Sequence, residues 1–335
     1  MPSAGRLVKI LLGIAISAAL LVWLFWKVDV RAVFARLADT HWGWLAVSIV
    51  VGLSSLWARA VRWRLLFPRH ARPTHLFNAV MIGYMGNNLL PLRAGEVLRV
   101  YVVTRRGQPF WTTVTTLVVE RALDGVAIGA VLAFVFFLIP TPREIAWAAE
   151  TFVAVVLLML IVLVGIAAAP MPCRILIHSL CYRWPAIDRR LLAIFDTMSD
   201  GLQGMRRPAQ FVPTAVWSVV IWAAVVFSVW ACFRAARLDL PVSAALCVLA
   251  FLGLGVSLPS SPGFIGVFQA ATVLALSVFG VDKVDALGFS LLLHASQFIP
   301  VTLWGLLLLV VEHVSLTDAT RAGGAPGMTP PGESC

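Results

Sequence analysis

The chain has 335 residues, of which 60% are apolar and only 13% charged, with a mean hydropathy of +0.92. Soluble domains are about 45–50% apolar and about 25% charged, which excludes a soluble enzyme, a disordered chain and a disulfide scaffold. The net charge of +10 is dispersed through loops between apolar runs, the basic bias of cytoplasmic loops in a membrane protein rather than a nucleic-acid footprint.

Residues 10–26 form an uncharged run behind Arg6 and Lys9. The run is long for a signal peptide, ends in Trp23 and Trp26 and lacks an A-x-A site, so it reads as a retained span. Residues 28–40 suit a short interfacial helix on the outer side. A second span covers residues 42–58 and continues into Arg59, Arg62 and Arg64. Snorkelling to anionic lipid is the expected role of Arg59 and Arg62. Further uncharged runs cover 125–142, preceded by a charged half-helix, then 151–173, 208–233 and 286–311.

Two regions do not fit a simple span. Residues 76–104 carry Asn87, Asn88, Pro91, Arg93, Gly95 and Glu96 at their centre. Pro and Gly break a helix there, and charge is costly against lipid. Each half is about 14 residues, roughly 21 Å as helix, against a hydrocarbon core of about 30 Å. The uncharged stretch 240–281 is broken in the same way at Leu258-Pro259-Ser260-Ser261-Pro262-Gly263. Both read as re-entrant hairpins, whose irregular backbone is tolerated only where protein or water satisfies it.

Loop charge sets the orientation. Arg64, Arg72, Arg105, Arg106 and the Arg-rich segment 171–207 fall on one side, and fewer cations on the other. Both termini are therefore expected in the cytoplasm. The expected architecture is all-α and polytopic, with six full spans and two opposed re-entrant hairpins. Residues 1–315 make one transmembrane domain of two halves, 1–142 and 143–315. Each half runs span, span, hairpin, span, which makes an inverted repeat, and Leu90-Pro91-x-x-x-Gly95 matches Leu258-Pro259-x-x-x-Gly263. Segment 171–207 reads as a cytoplasmic interfacial linker. Segment 316–335 reads as a disordered cytoplasmic tail.

The polar residues inside these runs are the candidate site. Arg93 sits at the first break, and Glu96 and Arg99 share a helix face. Arg beside a helix amino terminus suits an anionic headgroup. The plainer role is an internal ion pair that lets the hairpin exist. In Glu120-Arg121-x-x-Asp124-Gly125, the two carboxylates share a face and Arg121 reaches Asp124 at i+3. That cluster is either a buried network locking this helix to the first hairpin, a cation or proton site, or part of the headgroup site. Acid–base catalysis would need carboxylates freed from the adjacent Arg.

The second hairpin carries no charge. Gly263 and Gly266 permit close backbone approach, and Ser260 and Ser261 can cap its second half. Gln269, His294 and Gln297 follow and count, with Pro262 and Gly263, as that half's part of the substrate site. His294 serves as a packing histidine or as a proton carrier. The tryptophans, mostly at run ends, read as interfacial anchors. The five cysteines show no C-x-x-C pair and the six histidines no H-x-x-x-H pair, so no metal, cofactor or disulfide framework is expected. No Walker lysine motif or G-x-S-x-G elbow is present.

Three motifs in order carry a family resemblance: Asn87-Asn88-x-Leu90-Pro91-x-Arg93-x-Gly95-Glu96-x-x-Arg99, then Glu120-Arg121-x-x-Asp124-Gly125, then Pro259-x-x-Pro262-Gly263-x-x-Gly266. Over residues 10–312 the chain resembles the flippase-like transmembrane domain of lysylphosphatidylglycerol synthases. The resemblance implies translocation of a membrane lipid across the inner membrane of a bacterial or archaeal cell. In two-part members of that family a separate soluble domain makes the aminoacylated lipid. Only a short tail follows the resemblance here, so lipid aminoacylation is not expected. Other relatives accompany glycolipid, lipid-linked sugar or hopanoid pathways, so the lipid does not carry over.

The expected function is translocation of an anionic phospholipid, glycolipid or lipid-linked precursor, without enzymatic activity. Asn87, Asn88, Arg93, Glu96, Arg99, Glu120, Arg121 and Asp124 supply the charged side of the site. The rivals are a membrane partner that recruits a glycosyltransferase or other cytoplasmic lipid-modifying enzyme through 171–207, and an intramembrane lipid-linked sugar transferase. The expected partners are membrane lipids, with no nucleic acid, and a homo-oligomer is left open.

Overall fold

The computed structural model describes residues 4–26, 28–67, 71–91, 94–138, 143–206, 208–256 and 261–312. Arg93, residues 257–260 and the tail 316–335 lie outside them. Every regular element among the described residues is helical. The helices are α1 (Ala4–Phe25), α2 (Val30–Ala38), α3 (Trp42–Leu66), α4 (Pro73–Leu89), α5 (Gly95–Arg105), α6 (Phe110–Leu138) and α7 (Arg143–Ala168), followed by α8 (Pro170–Cys181), α9 (Pro185–Arg206), α10 (Pro208–Ala235), α11 (Val242–Val256), α12 (Val267–Ser277) and α13 (Lys283–Val311). A 3₁₀ turn, Pro262–Phe264, precedes α12.

Among the described residues, three helices are long and apolar enough to cross a membrane by themselves: α3, α10 from Gln210, and α13. Their outward faces are apolar. Val216, Val219 and Phe227 on α10 and Leu303, Leu307 and Val310 on α13 are exposed, at the helical spacing that fits a lipid-facing stripe. The charged half-helix expected before residue 125 leads directly into the run after it: α6 runs unbroken from Phe110 to Leu138. Its charges are paired inside the protein, so they do not end the helix.

Two pairs of shorter helices pack inside the bundle. Gly95 at the start of α5 lies against Gly86 of α4, and Arg99 lies against Gly83. α5 therefore runs back along α4. A Cβ on Gly95 would collide with the backbone of Gly83 and Asn87. In the second pair, Gly255 of α11 lies against Val267 and Ala271 of α12, and the Cys247 thiol reaches the Ala275 carbonyl at 3.7 Å. These contacts also run antiparallel.

α3 and α10 form the most extensive helix pair. They are joined by reciprocal hydrogen bonds: the Ser48 hydroxyl donates to the Ser228 carbonyl and the Ser228 hydroxyl to the Ser48 carbonyl, both at 2.8 Å. α13 packs against α4, and α6 against α11, so each short pair is held by a long helix from the other half of the sequence. The buried apolar residues form two clusters. One centres on α4 and α5 with Trp63, Met81 and Leu98. The other centres on α11 and α12 with Phe233, Leu276 and Phe289.

The linker 171–207 is two helices. α8 buries none of its residues, whereas α9 packs against α6 and α7 and buries Phe195. α2 is docked on α13 by Val33 and by the Arg36–Asp285 ion pair at 2.6 Å.

Candidate functional site

A cavity of about 600 Å³ lies between the two short helix pairs. Its position follows from where the pairs stop. At the end of α4 the backbone leaves the helix at Leu90, whose amide still bonds to the Gly86 carbonyl. Asn88 is fixed there by its side-chain amide, which donates to Thr302 of α13 at 2.8 Å. In the second pair, Gly263 adopts φ +69°, a left-handed conformation that costs glycine little. A Cβ on Gly263 would press on the Asn88 carbonyl and on the Phe298 ring. The tips of the two pairs thus meet, backbone to backbone, at the cavity.

One wall is charged. Tyr84 and Asn87 of α4, Glu96 of α5 and Arg121 of α6 line it. Arg121 holds Glu96 at 2.7 Å and reaches Asp124 at 3.7 Å. Behind this wall lies a sealed network. Arg99 grips Glu120 with both terminal nitrogens, at 2.7 and 3.3 Å, the bidentate geometry that suits Arg. Its guanidinium stacks on Trp63, 4.3 Å from the ring centroid. The Trp63 indole donates to Thr116 at 3.1 Å. Neither Arg99 nor Glu120 exposes any side-chain surface.

Asp124 is claimed by α3. Arg62 donates to it at 2.8 Å and Arg59 donates to its other oxygen. Arg62 also donates to Ser218 of α10 at 3.1 Å, and Arg59 lies over Trp222. The expected snorkelling of Arg59 and Arg62 is therefore overturned. Both are buried, because a carboxylate on α6 offers them a partner that removes the need to reach a lipid surface. Trp63, one of the tryptophans expected near the interface, is fully buried, its indole held by Thr116 and its ring by Arg99.

The opposite wall is uncharged. Gly263, Phe264, Phe268, His294, Gln297 and Phe298 line it. His294 stacks flat on Phe268 at 4.5 Å and meets Phe298 edge-on at 5.6 Å. Gln269 is not on the surface. It accepts from the Gly266 amide at 2.7 Å and contacts His294 Nδ1 at 2.8 Å, so it caps α12 and fixes the imidazole. This displaces the expected serine cap. Ser261 instead bonds to Ser17 of α1 at 3.0 Å, and Ser260 lies outside the described residues.

Of the residues singled out in the sequence, Asn87, Asn88, Glu96, Arg121, Gly263, His294 and Gln297 meet at the cavity. Arg99, Glu120 and Asp124 stand behind its wall, and Pro262 and Gln269 support it from outside the lining. Tyr84, Phe264, Phe268, Phe298 and Ser48 line it too. Nothing in the local sequence marks them, since an aromatic residue in an apolar run looks the same facing lipid, core or cavity.

The helical architecture, the apolar outer faces and a match to a membrane-domain family together define a multi-pass membrane protein. Residues 10–305 match the model of the lysylphosphatidylglycerol synthase TM region, and the chain belongs to that family. It is 26% identical over 316 residues to a UPF0104 membrane protein of Methanothermobacter thermautotrophicus, covering 91% of this chain and 93% of that one. It is 23% identical over 357 residues to the glycosyltransferase AglD of Haloferax volcanii, covering 96% of this chain. The alignment spans only 57% of that relative's length.

Proposed function

We infer that the protein is a lipid translocator of a bacterial or archaeal inner membrane, and that the cavity between the two short helix pairs holds the headgroup. One observation carries this: the cavity has one charged and one neutral wall, and each wall comes from a different half of the chain. α4, α5, α11 and α12 have 17, 11, 15 and 11 residues. At 1.5 Å per residue none exceeds about 25 Å, short of a hydrocarbon core of about 30 Å. This supports two re-entrant hairpins among six full spans. The reciprocal packing of α13 on α4 and α6 on α11 supports an inverted repeat of 1–142 and 143–315, a transporter arrangement in which broken helices meet near the midplane. Both termini are cytoplasmic in this reading.

Catalysis forms no part of it. Glu120 and Asp124 face guanidiniums rather than the cavity, which leaves no free carboxylate pair for acid–base work. A second reading, a membrane partner of a lipid-modifying enzyme, is favoured by α8, whose apolar Met171, Ile175, Leu176 and Leu180 are all exposed. The name of the Haloferax relative is in keeping with it.

Transbilayer movement of a fluorescent anionic phospholipid in proteoliposomes tests translocation. The wild type should accelerate it, and Val118→Trp, which fills the cavity from α6, should return it to the protein-free rate. Equal movement with both proteins, or none with the wild type, would overturn translocation through this cavity. Binding of a lipid-modifying enzyme that is lost on Ile175→Glu/Leu176→Glu, with no lipid movement, would favour the partner instead.

A further inference from the structure

The buried charge cluster does not balance. Among the described residues it joins four guanidiniums, Arg59, Arg62, Arg99 and Arg121, to three carboxylates, Glu96, Glu120 and Asp124. One positive charge is left over. An uncompensated charge in hydrocarbon surroundings is costly, so a cluster of this kind calls for a counter-charge. Three of the four cations cannot meet one from outside. Arg59, Arg62 and Arg99 expose 8%, 0% and 0% of their side chains. Arg121 exposes 37% and lines the cavity. It bridges Glu96 and Asp124. The surplus is therefore open to a ligand at Arg121.

We propose, building on the lipid-cavity reading above, that the cavity selects a lipid whose headgroup carries one net negative charge, a phosphodiester, with its phosphate against Arg121. The charge count of the described residues favours this over the alternatives. A phosphomonoester or diphosphate brings more negative charge than the cluster lacks. A zwitterionic headgroup brings its own cation and leaves the surplus unmet. The opposite wall offers no charge to correct either mismatch. Gln297 and the neutral polar groups of His294 and Ser296, which are held by Gln269 and the Leu293 carbonyl, face the cavity there, beside the rings of Phe264 and Phe268. They suit a neutral, hydroxylated portion beyond the phosphate.

The test is lipid binding to the purified full-length protein in detergent. The probes are phosphatidylglycerol and phosphatidylinositol (one charge), phosphatidic acid (a monoester), phosphatidylethanolamine (a zwitterion) and water-soluble glycerophosphoglycerol. The wild type should prefer both singly charged diesters. Arg121→Gln should weaken them by about tenfold or more, the size of one charge-assisted hydrogen bond, and Arg121→Lys should recover part of the loss. Glu96→Gln, which adds a second surplus charge, should shift preference toward phosphatidic acid. That gain cannot come from misfolding. Equal binding of all four lipids, or an unchanged preference in Glu96→Gln, would overturn the charge rule. Equal binding of the soluble diester would assign the site to a free phosphodiester and overturn the lipid. A protein that binds by this rule but moves no lipid refutes translocation alone. One that moves lipids without charge preference refutes the rule alone.

Discussion

At the scale of the residue, the structure is governed by where buried charge finds its partner. Arg99 illustrates this. It has no exposed surface, a bidentate carboxylate at Glu120 and the face of Trp63 beside it. Removing one partner strands the other, which costs about 3–5 kcal/mol for a buried pair. Glu120→Ala is therefore expected to destabilise by that amount in denaturant unfolding in detergent micelles. The double substitution Arg99→Met/Glu120→Leu should recover most of the loss, because it strands no charge. The sequence shows that Glu96, Arg99, Glu120 and Asp124 are unusual in an apolar run, and it gives the i+3 contacts. It does not show that Asp124 belongs to Arg59 and Arg62, which lie 65 and 62 positions away. Those pairings depend on how α3 packs on α6, and local spacing carries no information about that.

At the scale of the element, glycine positions separate contacts that matter from those that do not. Gly95 sits where α5 turns back along α4, with no room for a side chain. Gly95→Val should overpack this contact and cost about 3 kcal/mol or more, visible as loss of a monodisperse elution peak. Gly165 lies in α7 with nothing near its missing Cβ. Gly165→Ala should be tolerated, and should raise stability by about 0.5–1 kcal/mol through the entropy of the unfolded chain. The break near Pro91 and Gly95 was legible because helix-breaking residues and charge coincide there. The partners of the charges on α6 were not, because they lie on helices distant in sequence. The expected serine cap failed for a related reason. Gln269 reaches back to Gly266 from the same helix, while Ser261 is drawn to Ser17, which is distant in sequence.

At the scale of the whole molecule, the two halves are also tied at their edges. Glu312 at the end of α13 accepts from Asn78 of α4 at 2.7 Å and from Arg106, just beyond α5, at 3.2 Å. Burial pushes the Glu312 carboxyl up, but the hydrogen bonds from Arg106 and Asn78, with the Arg106 charge, outweigh it and hold the group below its ordinary range. A carboxyl depressed in the folded state stabilises above its unfolded value, and that contribution is lost as pH falls through the folded one. The clasp should therefore be intact at neutral pH and weaken below about pH 4. Glu312→Gln should lower stability at pH 7 and flatten its decline on acidification, as followed by thermal melts from pH 7 to 3.

Composition and charge break the chain into apolar runs, most of which correspond to one helix, whereas 240–281 holds both α11 and α12 and 151–173 crosses from α7 into α8. The cavity was legible only in part. Its polar residues stand out in the sequence, whereas its aromatic lining is set by which face of each helix turns inward. The most direct measurement of the central claim, that this cavity holds a lipid, is native mass spectrometry of lipids retained by the purified protein, comparing the wild type with Val118→Trp. A distinct lipid class retained by the wild type and lost when the cavity is filled is the predicted result. Only bulk lipids, in equal amounts on both proteins, would contradict it.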